Sequence, residues 1–174
     1  ASLPSRVKDD ISAAHWHEQF FQSFGGDWAE FDRGTVAVDD LAGRIARRTG
    51  LTEAEAMAVI DAVPHELQPL ADTVGQVHAL HERGVRQFYL SNMPAPYADH
   101  LEREYAFVRD FQDGVFSGRV QLIKPDAAIF ALAEQRFGLV PERTVFIDDH
   151  PKNVEAARAR GWQAVLATHH AAIH

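Results

Sequence analysis

The chain of 174 residues contains no cysteine. That excludes a disulfide scaffold, thiolate zinc sites and cysteine nucleophiles, and it fits a reducing compartment. Positive charge is scarce: 17 lysines and arginines face 25 aspartates and glutamates, a net charge of −8 with histidine neutral. This balance argues against sequence-independent nucleic-acid binding, which runs on lysine and arginine contacts to phosphates. No apolar run approaches the roughly 18 residues of a membrane helix, and the start has no signal-peptide apolar region. Internal repeats and low-complexity segments are missing too. Apolar residues are plentiful at 46%, an ordinary share for a chain with a packed core. The expectation is a soluble, cytoplasmic, acidic globular protein, with no nucleic-acid or membrane partner.

The two halves differ in pattern. Residues 1–72 read as helices and loops without a convincing strand. Asp39 is placed to cap a helix that carries Leu41, Ala42, Ile45 and Ala46 and stops at Gly50. Thr52 and Glu55 have capping-box spacing. The helix after them presents Ala56, Val59, Ile60 and Val63 on one face and is expected to end at Pro64. Upstream, Trp16, Phe20, Phe21, Phe24, Trp28 and Phe31 form an aromatic cluster. Residues 73–174 alternate helix and strand. Short apolar runs at 85–90, 144–147 and 163–167, and an extended piece near 114–120, are separated by helical stretches. Lys124-Pro125 is expected to open one of these helices, because proline suits the first turn. Such alternation implies a parallel sheet covered on both faces. Three histidines at 169, 170 and 174 read as a tail.

In a parallel sheet, ligands bind beyond the carboxyl ends of the strands. The first apolar run ends in Ser91-Asn92 and the second in Asp148-Asp149; Lys124 stands between them in sequence. Taken singly, these read as a turn, as helix punctuation and as a helix cap. Together they offer a hydroxyl, an amide, an ammonium and a carboxylate pair. That set suits a magnesium-assisted phosphate site: Mg²⁺ takes carboxylate, phosphate and water oxygens. Lysine supplies a point cation for a phosphate or developing oxyanion.

The order LSN at 90–92, KPD at 124–126 and FIDDHPKN at 146–153 resembles the second, third and fourth motifs of the haloacid dehalogenase superfamily. The phrase VFSGRVQLIKPDAAIF at 115–130 resembles that family's link into its third motif. The resemblance spans about residues 70–168. It implies an α/β fold with a Rossmannoid parallel sheet flanked by helices, a core over residues 73–174 and an α-helical cap over residues 1–72. It is nearest to small phosphatases related to the epoxide-hydrolase N-terminal domain and to sugar-phosphate phosphatases. It also implies roles. Ser91 would hydrogen-bond the phosphoryl group, with Asn92 beside it. Lys124 would neutralise charge on nucleophile and phosphate. Asp148 would bind Mg²⁺. Asp149 and Asn153 would orient Lys124 or the metal's waters.

The family's nucleophilic aspartate, at the end of a first, central strand, has no counterpart in this sequence. The one look-alike, FDRGTV at 31–36, follows no apolar strand and has Gly34 where a second aspartate would stand; Asp32 reads as part of a turn. A central strand must still fill the sheet, and sequence upstream of Ala1 is the expected source, ahead of strand exchange with a partner chain. The function implied is a Mg²⁺-dependent phosphatase acting on a small phosphorylated metabolite through an aspartyl-phosphate, as a monomer or homodimer. The alternatives are a 2-haloacid dehalogenase, which the charged Asp148-Asp149 pair disfavours, and an inactive binding protein on the same fold.

Overall fold

Capping residues and glycines cut the first part of the chain into helices. The computed structural model describes residues 9–167, so the histidine tail lies outside the described residues. Asp9 accepts a hydrogen bond from the backbone N–H of Ser12 at 2.8 Å and starts α1 (Asp10–Phe21). After a short 3-10 turn come α2 (Gly26–Arg33), α3 (Val38–Thr49) and α4 (Glu53–Glu66). The Thr52–Glu55 capping box is present: Glu55 N–H donates to Thr52 Oγ1 at 3.2 Å, and Thr52 N–H donates to the Glu55 carboxylate at 2.8 Å. Asp39 does not cap α3. Ala37 holds that position, and Asp39 and Asp40 sit in the first turn, where they complement the positive end of the helix dipole. Phe20, Trp28, Phe31, Leu41, Ile45, Leu51 and Ile60 bury one another in a first core.

From α5 (Ala71–Glu82) onward the chain alternates. The elements are β1 (Phe88–Ser91), α6 (Ala95–Glu104), β2 (Asp113–Phe116), α7 (Ser117–Val120), α8 (Ala127–Phe137), β3 (Val145–Asp148), α9 (Pro151–Ala159) and β4 (Gln163–Leu166). Pro125 does not lie in the first turn of α8. Lys124-Pro125 forms a turn with a cis peptide bond, and Asp126 is the N-cap. A second core joins Val115, Ile129, Phe130, Phe137, Phe146 and Trp162.

The sheet is in two pieces. β1 pairs parallel to β2, with Phe88 opposite Asp113 and Ser91 opposite Phe116. β3 pairs parallel to β4, with Val145 opposite Gln163 and Asp148 opposite Leu166. Between β1 and β3 lies a cleft of about 1450 Å³. The expected covering of both sheet faces is therefore incomplete. Phe146 packs under α8 and α9, while Val145, Ile147 and Val165 are 58%, 60% and 52% exposed. Helix α5 has no fully buried residue.

Among the described residues, three polar side-chain contacts help fasten the helical part to the α/β part. The first corrects the expected end of α4 at Pro64, since the helix continues to Glu66 with Pro64 inside it. Proline has no N–H for the carbonyl four residues back. That carbonyl belongs to Ile60, and the Tyr97 hydroxyl of α6 donates to it at 2.7 Å. Burial, with Asp32 and Asp61 nearby, holds the Tyr97 phenol well above its usual range. The second contact runs through Ser117, whose buried hydroxyl donates to the Asp32 carbonyl at 2.5 Å and accepts from the Met93 N–H at 2.8 Å. Backbones approach closely here: a Cβ on Gly34, which has φ of +82°, would stand 2.3 Å from the Gly118 carbonyl oxygen. The third is the Arg33–Asp126 ion pair at 3.0 Å.

Two outcomes follow from this seam. Tyr97→Phe leaves the Ile60 carbonyl without a donor and costs about 1–3 kcal/mol. In a Pro64→Ala background the restored N–H takes its place, so urea unfolding of the four-member cycle shows the Tyr97→Phe cost shrinking. Equal costs in both backgrounds would refute the exchange of donors. Asp32 is buried, and desolvation pushes its carboxyl up to about 8. The unfolded chain, with an ordinary aspartate value of about 3.9, gives up its proton first. Stability from the neutral carboxyl is therefore full below about pH 4 and lost as pH rises through about 8. Asp32→Asn should raise unfolding free energy by about 5 kcal/mol at pH 9 and leave it nearly unchanged at pH 4. Parallel pH profiles for the two proteins would contradict this.

Candidate active site

The carboxyl ends of β1 and β3 are brought together by Lys124, which bonds Asn92 just after β1 and Asp148 at the end of β3. Ser91 is the last residue of β1 and is half-buried. Asn92 follows it, and its side chain clamps the Lys124 backbone from both sides. Its Nδ2 donates to the Lys124 carbonyl at 2.9 Å, and its Oδ1 accepts from the Lys124 N–H at 2.8 Å. Asn92 thus fixes the turn that carries the lysine.

Lys124 reaches the end of β3. Its Nζ donates to Asp148 Oδ2 at 2.7 Å, and the two side chains are only 9% and 6% exposed. The ammonium also lies 5.6 Å from the centroid of the Phe146 ring, within cation–π range. The other Asp148 oxygen accepts from the His150 N–H at 2.8 Å and from Asn153 Nδ2 at 2.9 Å. Asp148 therefore ties the lysine to the first turn of α9. Buried charges persist when paired and hydrogen-bonded in this way.

The structure gathers Asn92, Lys124, Asp148 and Asn153 into one hydrogen-bonded chain. Asn153 bonds Asp148 and not Lys124. Asp149 is exposed and borders the cleft beside Asp148 and Lys124. Two residues escaped the sequence reading. Ser117 sits in a phrase recognised only as a link; the signal was a small hydroxyl just after an extended piece and before glycine. His150 carries a buried Nδ1 with no hydrogen-bond partner among the described residues, and no spacing marked it. Asp32 lies at the buried end of α2, where its carbonyl serves the seam.

At the carboxyl end of the cleft stand one lysine and two aspartates, a sum of −1, while Arg86 and Arg143 line the cleft elsewhere. Among the described residues no group of three or more histidine, aspartate or glutamate side chains is arranged to hold a metal ion. Asp148 and Asp149 are nevertheless hard oxygen donors. Mg²⁺ asks for only one or two carboxylates alongside waters and phosphate oxygens, so the donor set fits that ion.

Comparison with known proteins gives the lineage. A sesquiterpene phosphatase, astK of Aspergillus oryzae, is 30% identical over 135 residues, covering 77% of this chain and 68% of that protein. A phosphoglycolate phosphatase of Salmonella typhimurium is 30% identical over 100 residues, 58% of this chain and only 38% of that protein. The magnesium complex of the HAD family enzyme bt-2542 from Bacteroides thetaiotaomicron superposes with a TM-score of 0.68 at 19% identity, covering 92% of this chain and 86% of that one; at that identity it speaks for the fold. The sequence profile of haloacid dehalogenase-like hydrolases matches residues 8–161. The chain belongs to the haloacid dehalogenase-like hydrolases.

Proposed function

We propose that this hydrolase is a Mg²⁺-dependent phosphatase of a small phosphorylated metabolite, working in the cytoplasm as a monomer or homodimer. The observation that carries the reading is the buried Lys124–Asp148 pair, held at the carboxyl ends of two parallel strands by Asn92 and Asn153. Two relatives bearing phosphatase names support the same class. Asp148, with Asp149 beside it, would hold the cation; bound there, it supplies the positive charge that a phosphate dianion requires. Lys124 gives its ammonium to a phosphoryl oxygen, and Ser91 offers a hydroxyl to another. Asn92 keeps the lysine turn in place, and Asn153 and the His150 N–H fix the rotation of the Asp148 carboxylate.

The nucleophile is assigned to an aspartate upstream of Ala1. Its carboxylate attacks phosphorus as the P–O ester bond breaks, the leaving oxygen takes a proton from solvent water, and a second water then cleaves the aspartyl-phosphate to inorganic phosphate and the free carboxylate, returning a proton to solvent. The charged Asp148-Asp149 pair favours phosphate over halide chemistry.

The decisive assay uses p-nitrophenyl phosphate with the chain extended by its native upstream sequence. Turnover should require Mg²⁺ and stop with EDTA; no Mg²⁺-dependent turnover would refute the reading. In that extended protein Lys124→Met should lower kcat at least 100-fold. The same pair has a stability signature. Lys124→Met or Asp148→Asn alone strands a buried partner and costs about 3–5 kcal/mol. The double variant should recover most of that loss in urea unfolding, and additive losses would show that the two charges are not coupled.

A further inference from the structure

Two histidines meet where the helical part joins the α/β part. His65 lies in the last turn of α4 and is exposed; His100 lies in α6, three residues after Tyr97, and is half-buried. Their ring centroids are 5.4 Å apart and the ring planes stand at 82°. The same two helices are held together by the Tyr97 hydroxyl on the Ile60 carbonyl, so the pair sits at a fixed spacing. Imidazole nitrogens are good ligands for zinc, copper and nickel ions. A zinc ion about 2.1 Å from one nitrogen of each ring, at a tetrahedral angle, holds two imidazole centroids about 5 Å apart. The observed separation is close to that figure, so binding calls for side-chain rotation and no shift of either helix.

The surroundings favour a cation. Asp61, one turn before His65, and Glu66 line an open hollow of about 450 Å³ together with it. The last turn of α4 adds the negative end of the helix dipole. A cation already stands against the other ring: Arg103 Nη2 lies 3.2 Å from His100 Nδ1. A guanidinium only donates, so Nδ1 faces it with a lone pair, the form of the ring that a metal ion requires. Arg103 is 66% exposed and pairs with its neighbour Glu104, so it can swing aside. Asp61 and Glu66 act through their charge. Among the described residues no group of three histidine, aspartate or glutamate side chains is arranged to hold a metal ion, so waters fill the remaining positions.

We infer that His65 and His100 form a zinc site, with two histidine ligands and water, that staples α4 to α6. It is separate from the crevice in place and in chemistry: its ligands are nitrogens, whereas Asp148 and Asp149 offer the oxygens that suit Mg²⁺. It does not rest on the phosphatase reading. The bound ion ties the helical part to the α/β part beside the contact between Pro64 and Tyr97. Its two ligands come together only in the folded chain, so binding stabilises the fold.

The test titrates Zn²⁺ alone into the chain at neutral pH. Other histidines are rival ligands, His169, His170 and His174 among them, so the readout is residue-resolved. Long-range ¹H–¹⁵N NMR of the imidazole rings should show one nitrogen of His65 and one of His100 shifting together as a single ion binds. An excess of Mg²⁺ should not reverse these shifts. His65→Ala and His100→Ala should each weaken binding here by about tenfold or more, since even the loss of a ligand's hydrogen-bond partner costs that much. Circular dichroism without metal should match the parent's in both. Arg103→Ala should tighten binding, because the guanidinium competes for His100. In a background with His169, His170 and His174 changed to alanine, Zn²⁺ should raise Tm, and either single substitution should cancel the rise. Shifts confined to one of the two rings, shifts only at His169, His170 and His174, or an equal rise in Tm in the single variants would each overturn the proposal.

Discussion

One line of contacts spans the divided sheet: the Asn92 side chain on the Lys124 backbone, the Lys124 ammonium on Asp148, and Asp148 on the first turn of α9. It begins at the end of β1 and finishes at the end of β3. No strand among the described residues joins those two ends, so side chains hold them in register. The arrangement is economical in charge. A single ammonium and a single carboxylate neutralise each other out of water, and every remaining Asp148 hydrogen bond comes from a neutral donor. Buried pairs of this kind contribute little net stability but fix geometry strongly, since breaking one strands the other.

The seam between the helical part and the α/β part follows a similar logic with neutral groups. Pro64 removes an N–H from α4, and Tyr97, which follows the Ser91-Asn92 strand end by a few residues, supplies the missing donor. Ser117, just after β2, bridges Met93 and Asp32. Both seam contacts thus begin next to the crevice elements. A shift of the helical part is felt at Met93, directly after Asn92, and through Arg33 at Asp126, two residues after Lys124. The aromatic cluster from Trp16 to Phe31 is largely consumed in packing the helical part. What that part offers the crevice is chiefly the end of α2, with Asp32 and Arg33.

Much of this was legible in the sequence. All four strands fall in the short apolar or extended runs, although the piece near 114–120 is strand only to Phe116 and turns into α7 from Ser117; the Thr52–Glu55 box announces α4, because periodicity and capping are local signals. The boundaries that misled are those where a distant partner decides. Pro64 reads as a stop until Tyr97 is placed beside it. Lys124-Pro125 reads as a helix start until Asn92 is seen holding the turn. Asp39 loses the cap to Ala37 because a residue with the right preference need not occupy the right backbone position. Site residues were readable as types at strand ends, and the structure brings Asn92, Lys124, Asp148 and Asn153 together. Their connections were not readable. Asn92 is spent on Lys124, and Asn153 serves the carboxylate and not the lysine. Ser117 and Asp32 were invisible as a pair because one hydrogen bond joins residues 85 apart in sequence.

The overall acidity of the chain sharpens the same point about the crevice. A net charge of −8 does not itself decide affinity for phosphate, because fields from exposed charges fade beyond about 8–10 Å in physiological salt. The local charges decide, and at the carboxyl end of the cleft, with Lys124 already neutralised by Asp148, the remaining charge is that of exposed Asp149. Any phosphate ester entering there must either displace Asp148 from the ammonium or bring a cation with it. Displacement leaves a buried carboxylate held only by Asn153 and the His150 N–H, at a cost of several kcal/mol. On the proposed phosphatase reading, a divalent cation on Asp148 would remove that cost and free the ammonium in one event.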